Sequence, residues 1–339
     1  MKAFISRTLS GVDSLGLEDR PAPGPVGPGQ IRVAMRAASV NYRDLLVLAG
    51  ALRSVTVDEL IPCSDGAGEV IEVGPDVWRV KVGDRIALTF NPDWIGGSYQ
   101  LSRGGAGRGG ALQGVMCQEV VVGQHEAVIL PAHLSFEEGA TLPCAAVTAW
   151  HALCGPAPLL PGMSVLLQGG GGVSIFALQF AKLFGARVII ISSSPERCAR
   201  LKSLGADEAI DYRAEPEWNV IVRKLTNGLG VDVTVDLGGA ETIDRSLAST
   251  RIGGRLAPVG LRTGRAAPGT LMGASPVASV DITPIRVGSR QDFEAMNRAI
   301  AFHQLHPVID SRYGFAQLPD ALRHLQSGRH FGKIVINFD

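Results

Sequence analysis

The sequence predicts an α/β protein of two domains, in which a doubly wound parallel sheet is inserted into a β-rich domain. Three observations predict it. A glycine run, Gly169 to Gly172, separates a short apolar strand from a segment with apolar residues at helical spacing. From about Val128 strands and helices alternate, the pattern of a parallel sheet. Before that point short strands and turns follow one another, and the last apolar run, Lys333 to Asn337, needs a sheet to bury it at the terminus. Pairing that run into the first domain's sheet returns the chain to where it began. The expected divisions are therefore residues 1–127, 128–265 and 266–339, the middle one being the insertion.

Composition sets bounds on function. The chain has 339 residues, enough for two domains, and its 32 Lys plus Arg balance 32 Asp plus Glu, so no net charge directs it to nucleic acid or an anionic membrane. Apolar residues make up 46%, yet runs such as Val188 to Ile191 fall far below the roughly 18 residues of a membrane span. Met1 to Arg7 has no apolar targeting stretch. The five cysteines are scattered and odd in number, which fits a reducing cytoplasm better than a disulfide framework.

Taken in order, Met1 to Ser6 alternates weakly, and Pro21 to Gly29 holds too many prolines for a helix. Strands are expected at Gln30 to Ala38, Gly66 to Val73, Arg85 to Phe90 and Gln118 to Val122. A short helix, Asn41 to Gly50, has a polar start that makes it a site candidate. Asn91 to Gly114, rich in Gly, Ser and Arg, reads as a long mobile loop able to line or cover a cleft. Helices Phe136 to Leu142 and Ala145 to Cys154 meet near Pro143. The alternating region then gives strands at Ser164 to Gln168, Arg187 to Ile191, Glu208 to Asp211 and Val231 to Asp236, with Gly254 to Gly260 as its sixth strand. Helices are expected at Ile175 to Phe184, Glu196 to Leu204, Pro216 to Thr226 and Glu241 to Ser249. Beyond the Gly- and Pro-rich stretch Leu261 to Ser279 come a strand, Ile285 to Gly288, helices Gln291 to Leu305 and Leu318 to Gln326, and the closing strand.

The glycine run carries chemistry. Gly169 permits the turn, Gly171 lets backbone amides approach a pyrophosphate, and a helix starting near Gly172 and Val173 offers unpaired N–H groups to that anion. Ser174 is small enough for close helix packing. A glycine-rich hexamer also arises as an ordinary loop in a chain with 42 glycines. The next strand ends at Ser192-Ser193-Ser194-Pro195-Glu196-Arg197. It lacks the acid that would bind the ribose 2′-hydroxyl of NAD, and its hydroxyls and arginine suit a 2′-phosphate, so NADP(H) is favoured. The alternative is a serine turn followed by a surface arginine.

Over nearly its full length the chain resembles the medium-chain dehydrogenase/reductase superfamily. The resemblance rests on Ser39 to Asp44, Asp65 to Val70, Val82-Gly83-Asp84-Arg85, Leu142 to Trp150, the glycine run and Gly328 to Val335. It implies a GroES-like catalytic domain with an inserted Rossmann domain, assembled as a homodimer, and the match is to the zinc-independent branch that includes quinone oxidoreductases. Zinc-dependent members carry Cys where this chain has Asn41, His-Glu where it has Ser64-Asp65, and Cys at Cys144. One thiol without imidazole is a poor zinc set, so no metal is expected and Cys144 reads as a small buried residue.

The resemblance also implies roles. Asn41 lies by the nicotinamide, where it binds the cofactor or the substrate carbonyl, unless it merely caps its helix. Tyr42 is a candidate proton or hydrogen-bond donor, with packing at the domain interface the plainer role. Thr148 corresponds to a cofactor-contacting threonine, and Tyr212 to a tyrosine against the 2′-phosphate beside the position of Arg197. Ser192, Ser193, Gly260 and Phe331 complete the cofactor surface, and Phe331 and Lys333 are candidates to reach the cleft. Without a metal to stabilise alkoxide, a quinone or α,β-unsaturated carbonyl is the expected hydride acceptor, because conjugation spreads the developing charge. The alternatives are an NADP-dependent alcohol dehydrogenase or aldehyde reductase, and an NADPH-binding protein with little activity.

Overall fold

The computed structural model describes residues 1–52, 58–99, 107–155, 157–260 and 280–338. Contacts divide the chain into two units, Met1–Val147 with Val287–Asp339, and Thr148–Arg286. The expected division after residue 127 falls inside the first unit. That after 265 falls outside the described residues, as does the middle of the stretch Asn91 to Gly114.

The first unit opens with the antiparallel pair β1 (Lys2–Ser6) and β2 (Leu15–Asp19). Its spine is β3 (Gln30–Val40), followed by helix α1 (Tyr42–Leu48) and by β4 (Asp65–Val73), β5 (Arg85–Leu88), β6 (Glu119–Gly123) and β7 (Ala127–Ile129). Ile31, Val33 and Met35 are buried alternately along β3, as period-two patterning requires. Helix α2 (Phe136–Ala140) is capped by Ser135, whose Oγ accepts from the Glu138 N–H. The joint expected at Pro143 is a wide π-helical turn, Leu142–Ala146, leading into α3 (Val147–Cys154). A proline has no N–H for the regular ladder, and a wider turn absorbs the loss.

The second unit is a parallel sheet of β8 (Ser164–Gln168), β9 (Arg187–Ser192), β10 (Glu208–Asp211), β11 (Val231–Asp236), β12 (Thr250–Pro258) and β13 (Asp281–Ile282). Between them run α4 (Gly172–Leu183), α5 (Pro195–Ser203), α6 (Trp218–Leu225) and α7 (Ile243–Ser249). The spatial order β10-β9-β8-β11-β12-β13 reverses between β8 and β11. That reversal leaves a crevice at the carboxyl ends of the strands, the usual ligand position in such sheets. Two sequence expectations are corrected. The segment expected as sixth strand is the fifth, and the sixth is β13. Ile285 to Gly288 forms no strand, because Pro284 cannot donate to the ladder, although the Ile285 N–H still reaches the Pro258 carbonyl at 2.8 Å.

The chain then re-enters the first unit through α8 (Arg290–His303), β14 (Ile309–Gly314), α9 (Leu318–Ser327) and β15 (Lys333–Asn337). As the terminal burial argument requires, β15 pairs antiparallel with β3 and completes a seven-stranded sheet. Leu318, Ala321, Leu322 and Leu325 of α9, at helical spacing, pack into the same core as Ile334 and Ile336. Strands β2, β7 and β14 were not expected from the sequence.

Candidate functional site

In the second unit the glycine turn is built as an anion cradle requires. Gly169, at φ 80°, takes a backbone conformation that side-chain-bearing residues rarely adopt, and its N–H donates to the Ile191 carbonyl at 2.7 Å. Gly171 is the N-cap of α4, with Gly172 and Val173 in its first turn. Ser174 Oγ donates back to the Gln168 carbonyl, tying the turn to the end of β8. Thr148 is buried in the first turn of α3.

A polar network, unread in the sequence, holds the tips of β8 and β11 together. Gln168 Nε2 donates to Asp236 Oδ2 at 3.0 Å and to Ser246 Oγ at 2.7 Å. Its Oε1 accepts from the N–H groups of Leu237 and Gly238 at 3.0 and 3.1 Å. Asp236 also accepts from the Gly239 N–H at 2.9 Å, from Thr242 Oγ1 at 2.8 Å and from Ser246 Oγ at 2.5 Å. Gly260 stands at the same edge, where a Cβ would lie 1.9 Å from the Leu237 carbonyl oxygen. The signal available in the sequence was a polar residue closing each of two inner strands, Gln168 after Val165-Leu166-Leu167 and Asp236 after Val235.

At the neighbouring edge, Ser192 ends β9 with its Oγ buried and without a partner. Ser193 follows, half-buried, and Ser194 caps α5, its Oγ accepting from the Arg197 N–H at 3.3 Å. The Tyr212 N–H donates to the Ser192 carbonyl at 2.9 Å, and the Tyr212 side chain is exposed. Ser192, Ser193, Arg197 and Tyr212 thus share one corner of the second unit.

The first unit holds a separate polar cluster at the start of α1. Lys333, 3% exposed, donates from Nζ to Asn41 Oδ1 at 2.6 Å and to the Val40 carbonyl at 3.0 Å, and lies 3.9 Å from Asp65 Oδ2. Asp65 is fully buried; it accepts from Ser64 Oγ at 2.6 Å and from the Cys144 N–H at 3.2 Å. The Asn41 N–H donates to Asp44 Oδ2 at 2.8 Å, while Asp44 Oδ1 has no hydrogen-bond partner. Burial pushes the Asp44 carboxyl up to about 6, with Arg43 pulling against the rise. Burial also raises Asp65, opposed chiefly by the Lys333 charge. Cys144 is half-buried, not the fully buried residue expected, and Cys63 is buried; both thiols are held well above their ordinary range, by loss of solvent first and then by Asp65 and Asp44 respectively. Tyr42, 45% exposed, begins α1, whereas Phe331 is 2% exposed in the core with its N–H on Asp310 Oδ1.

The three positions assigned to zinc ligands by resemblance do not fit that ion here. An ammonium group, with three donors and no acceptor, already faces Asn41 and Asp65. Among the described residues no three His, Cys, Asp or Glu side chains gather as a ligand set.

Two family models match the chain, one in each half. Residues 27–132 match the alcohol dehydrogenase GroES-like domain and residues 172–301 match the zinc-binding dehydrogenase family. A zinc-type alcohol dehydrogenase-like protein of Schizosaccharomyces pombe is 37% identical, over 100% of this chain and 99% of its own. Among solved structures, an NAD-dependent alcohol dehydrogenase is 31% identical with a TM-score of 0.89, each chain covered in full. A quinone oxidoreductase of Pseudomonas syringae pv. Tomato DC3000 is 26% identical, TM-score 0.85, over 99% of both chains. The mycobacterial protein Rv1454c complexed with NADPH is 27% identical, TM-score 0.84, with both chains fully covered.

Proposed function

We propose, from the premise that this chain belongs to the medium-chain dehydrogenase/reductase superfamily, that it is an NADPH-dependent reductase of quinones or α,β-unsaturated carbonyl compounds working without a metal ion. Membership makes it an oxidoreductase of a small molecule with a nicotinamide cofactor. The observation that carries the finer reading is the Lys333 ammonium lodged against Asn41 and Asp65, where a metal-dependent alcohol dehydrogenase needs ligands with lone pairs.

When bound, NADPH would supply the hydride, and solvent or a nearby hydroxyl the proton, that together take a quinone to its quinol or an α,β-unsaturated carbonyl compound to its saturated form. The protein's part is to bind, orient and exclude water. The first turn of α4 holds the pyrophosphate through unpaired N–H groups. Ser192, Ser193, Arg197 and Tyr212 hold the 2′-phosphate, and Asn41 lies against the cofactor or the acceptor carbonyl. Tyr42, Thr148, Gly260 and Phe331 are the remaining proposed contacts, and the active species is proposed to be a homodimer.

Purified protein incubated with NADPH and a panel of quinones, enones, aldehydes and alcohols tests the reading. Coenzyme consumption confined to conjugated acceptors is expected, and equal turnover of simple aldehydes or alcohols sinks it. A second reading, alcohol or aldehyde chemistry, is favoured by the 31% identity to an NAD-dependent alcohol dehydrogenase. NADPH binding without turnover of anything on the panel would instead mark a binding protein. Coenzyme choice has its own test. Arg197→Asp is expected to weaken NADPH binding about 10- to 100-fold, the worth of one charge-assisted phosphate contact, and to spare NADH. Equal losses for both coenzymes would remove Arg197 from the phosphate site.

A further inference from the structure

We propose that Lys333 is the positioning residue of the first unit's polar cluster, an internal cation that fixes the Asn41 amide and neutralises Asp65 in the place where metal-dependent relatives hold an ion. The proposal deepens the reductase reading and rests on it for the role of Asn41.

Three observations carry it. The ammonium group is only a donor, so the Asn41 atom 2.6 Å from it is the amide oxygen, and the amide's orientation is determined. Asn41 Nδ2 is buried and faces Asp65, whose ionised form it helps to stabilise as a donor. Asp65, fully buried with Lys333 3.9 Å away, would be an uncompensated buried charge without it. Backbone and carboxyl groups hold the cluster from both sides. The Asn41 N–H is bonded to Asp44 while its Oδ1 is bonded to Lys333, so main chain and side chain of one residue are each anchored.

Strand pairing explains how this is reached. Ile334 of β15 stands opposite Val40 of β3, which brings Lys333 beside Asn41 at the start of α1. The first residue of β15 can then bond both the Val40 carbonyl and the Asn41 side chain. Val40 O, Asn41 Oδ1 and Asp65 Oδ2 thus surround one ammonium group, whose three N–H donors suit oxygens placed in this way.

Lys333→Ala tests the idea by removing that ammonium group. The expected result is a fall in kcat/KM with NADPH and an active quinone of about 10- to 100-fold, the usual effect of losing an outer-shell partner, carried by kcat more than by KM. Methylammonium chloride should restore part of the activity and raise the variant's unfolding temperature, with sodium chloride at equal ionic strength as control. Zinc chloride at one equivalent should neither bind stoichiometrically to the wild type nor shift its unfolding temperature. Unimpaired activity of Lys333→Ala, or stoichiometric zinc in the wild type, overturns the proposal. Should Lys333→Ala fail to fold, Lys333→Met is compared with Lys333→Met/Asp65→Asn. Recovery of stability without recovery of activity is expected, and recovery of both would make Lys333 structural alone. If the wild type reduces no acceptor, the reductase reading fails, yet the methylammonium and zinc thermal shifts still judge the cation site by themselves.

Discussion

Asp236→Ala is expected to lower the stability of the second unit by about 3 to 5 kcal/mol and to abolish measurable coenzyme binding at micromolar protein. The carboxyl group is fully buried at the end of β11 and accepts from Gln168, Gly239, Thr242 and Ser246. Removing it strands several donors at once, each costing about 1 to 3 kcal/mol if nothing replaces the lost partner. Relaxation and entering water offset part of that sum, which is why the expected loss is smaller than the total. The consequence for binding follows from topology. Gln168 is the residue before the glycine turn, and its side chain is held by Asp236 across the reversal point of the sheet. Chemical denaturation and coenzyme titration of the same preparation check both halves. A variant with wild-type stability would show that the network is dispensable, and a stable variant with unchanged NADPH affinity would separate the strand tips from the cofactor. Asp236→Asn keeps an acceptor for Thr242 or Gly239 and is expected to lose less.

The glycine turn was legible because its requirement is local. A positive φ at Gly169 and a helix beginning at Gly172 follow from four consecutive residues and the apolar runs around them. The return of the last strand was legible as well, because an apolar run at a terminus has few places to be buried. The Gln168 and Asp236 network was not, since a side chain at a strand tip says nothing of which other tip it meets until the strand order is known. Lys333 was harder still. Its partner Asn41 is 292 residues away, and only the register of β15 on β3 brings them together. The resemblance makes Lys333 a candidate to reach the cleft, but nothing in the sequence pairs it with Asn41 or Asp65. Ile285 to Gly288 differs in kind: Ile285 and Val287 alternate as a strand would, but Pro284 immediately before them has no N–H to give to a ladder.

Between pH 4 and pH 7 the largest pH effect expected of a single group belongs to Asp44. Its carboxyl is raised from 3.8 to about 6 by burial, against the pull of Arg43, the Asn41 N–H and Lys333, with Asp65 adding to the rise. A carboxyl whose folded value exceeds its unfolded one binds its proton more tightly in the native state. Its contribution is therefore present in full below about 3.8 and is lost as pH rises through about 6. Between pH 4 and pH 7 this amounts to about 2 to 3 kcal/mol, taking 1.36 kcal/mol for each unit. In Asp44→Asn the amide oxygen can still accept from the Asn41 N–H, while the titration is gone. The variant should gain stability relative to the wild type by that amount across the interval, with the gain complete by about pH 7. At pH 4 it should be no more stable than the wild type, because its NH2 group takes the place of Asp44 Oδ1, which has no hydrogen-bond partner. Urea denaturation of both proteins at half-unit steps reads the difference. Parallel stability curves would mean that Asp44 is ionised throughout, and that the charge of Arg43 and Lys333 outweighs the burial of the carboxyl.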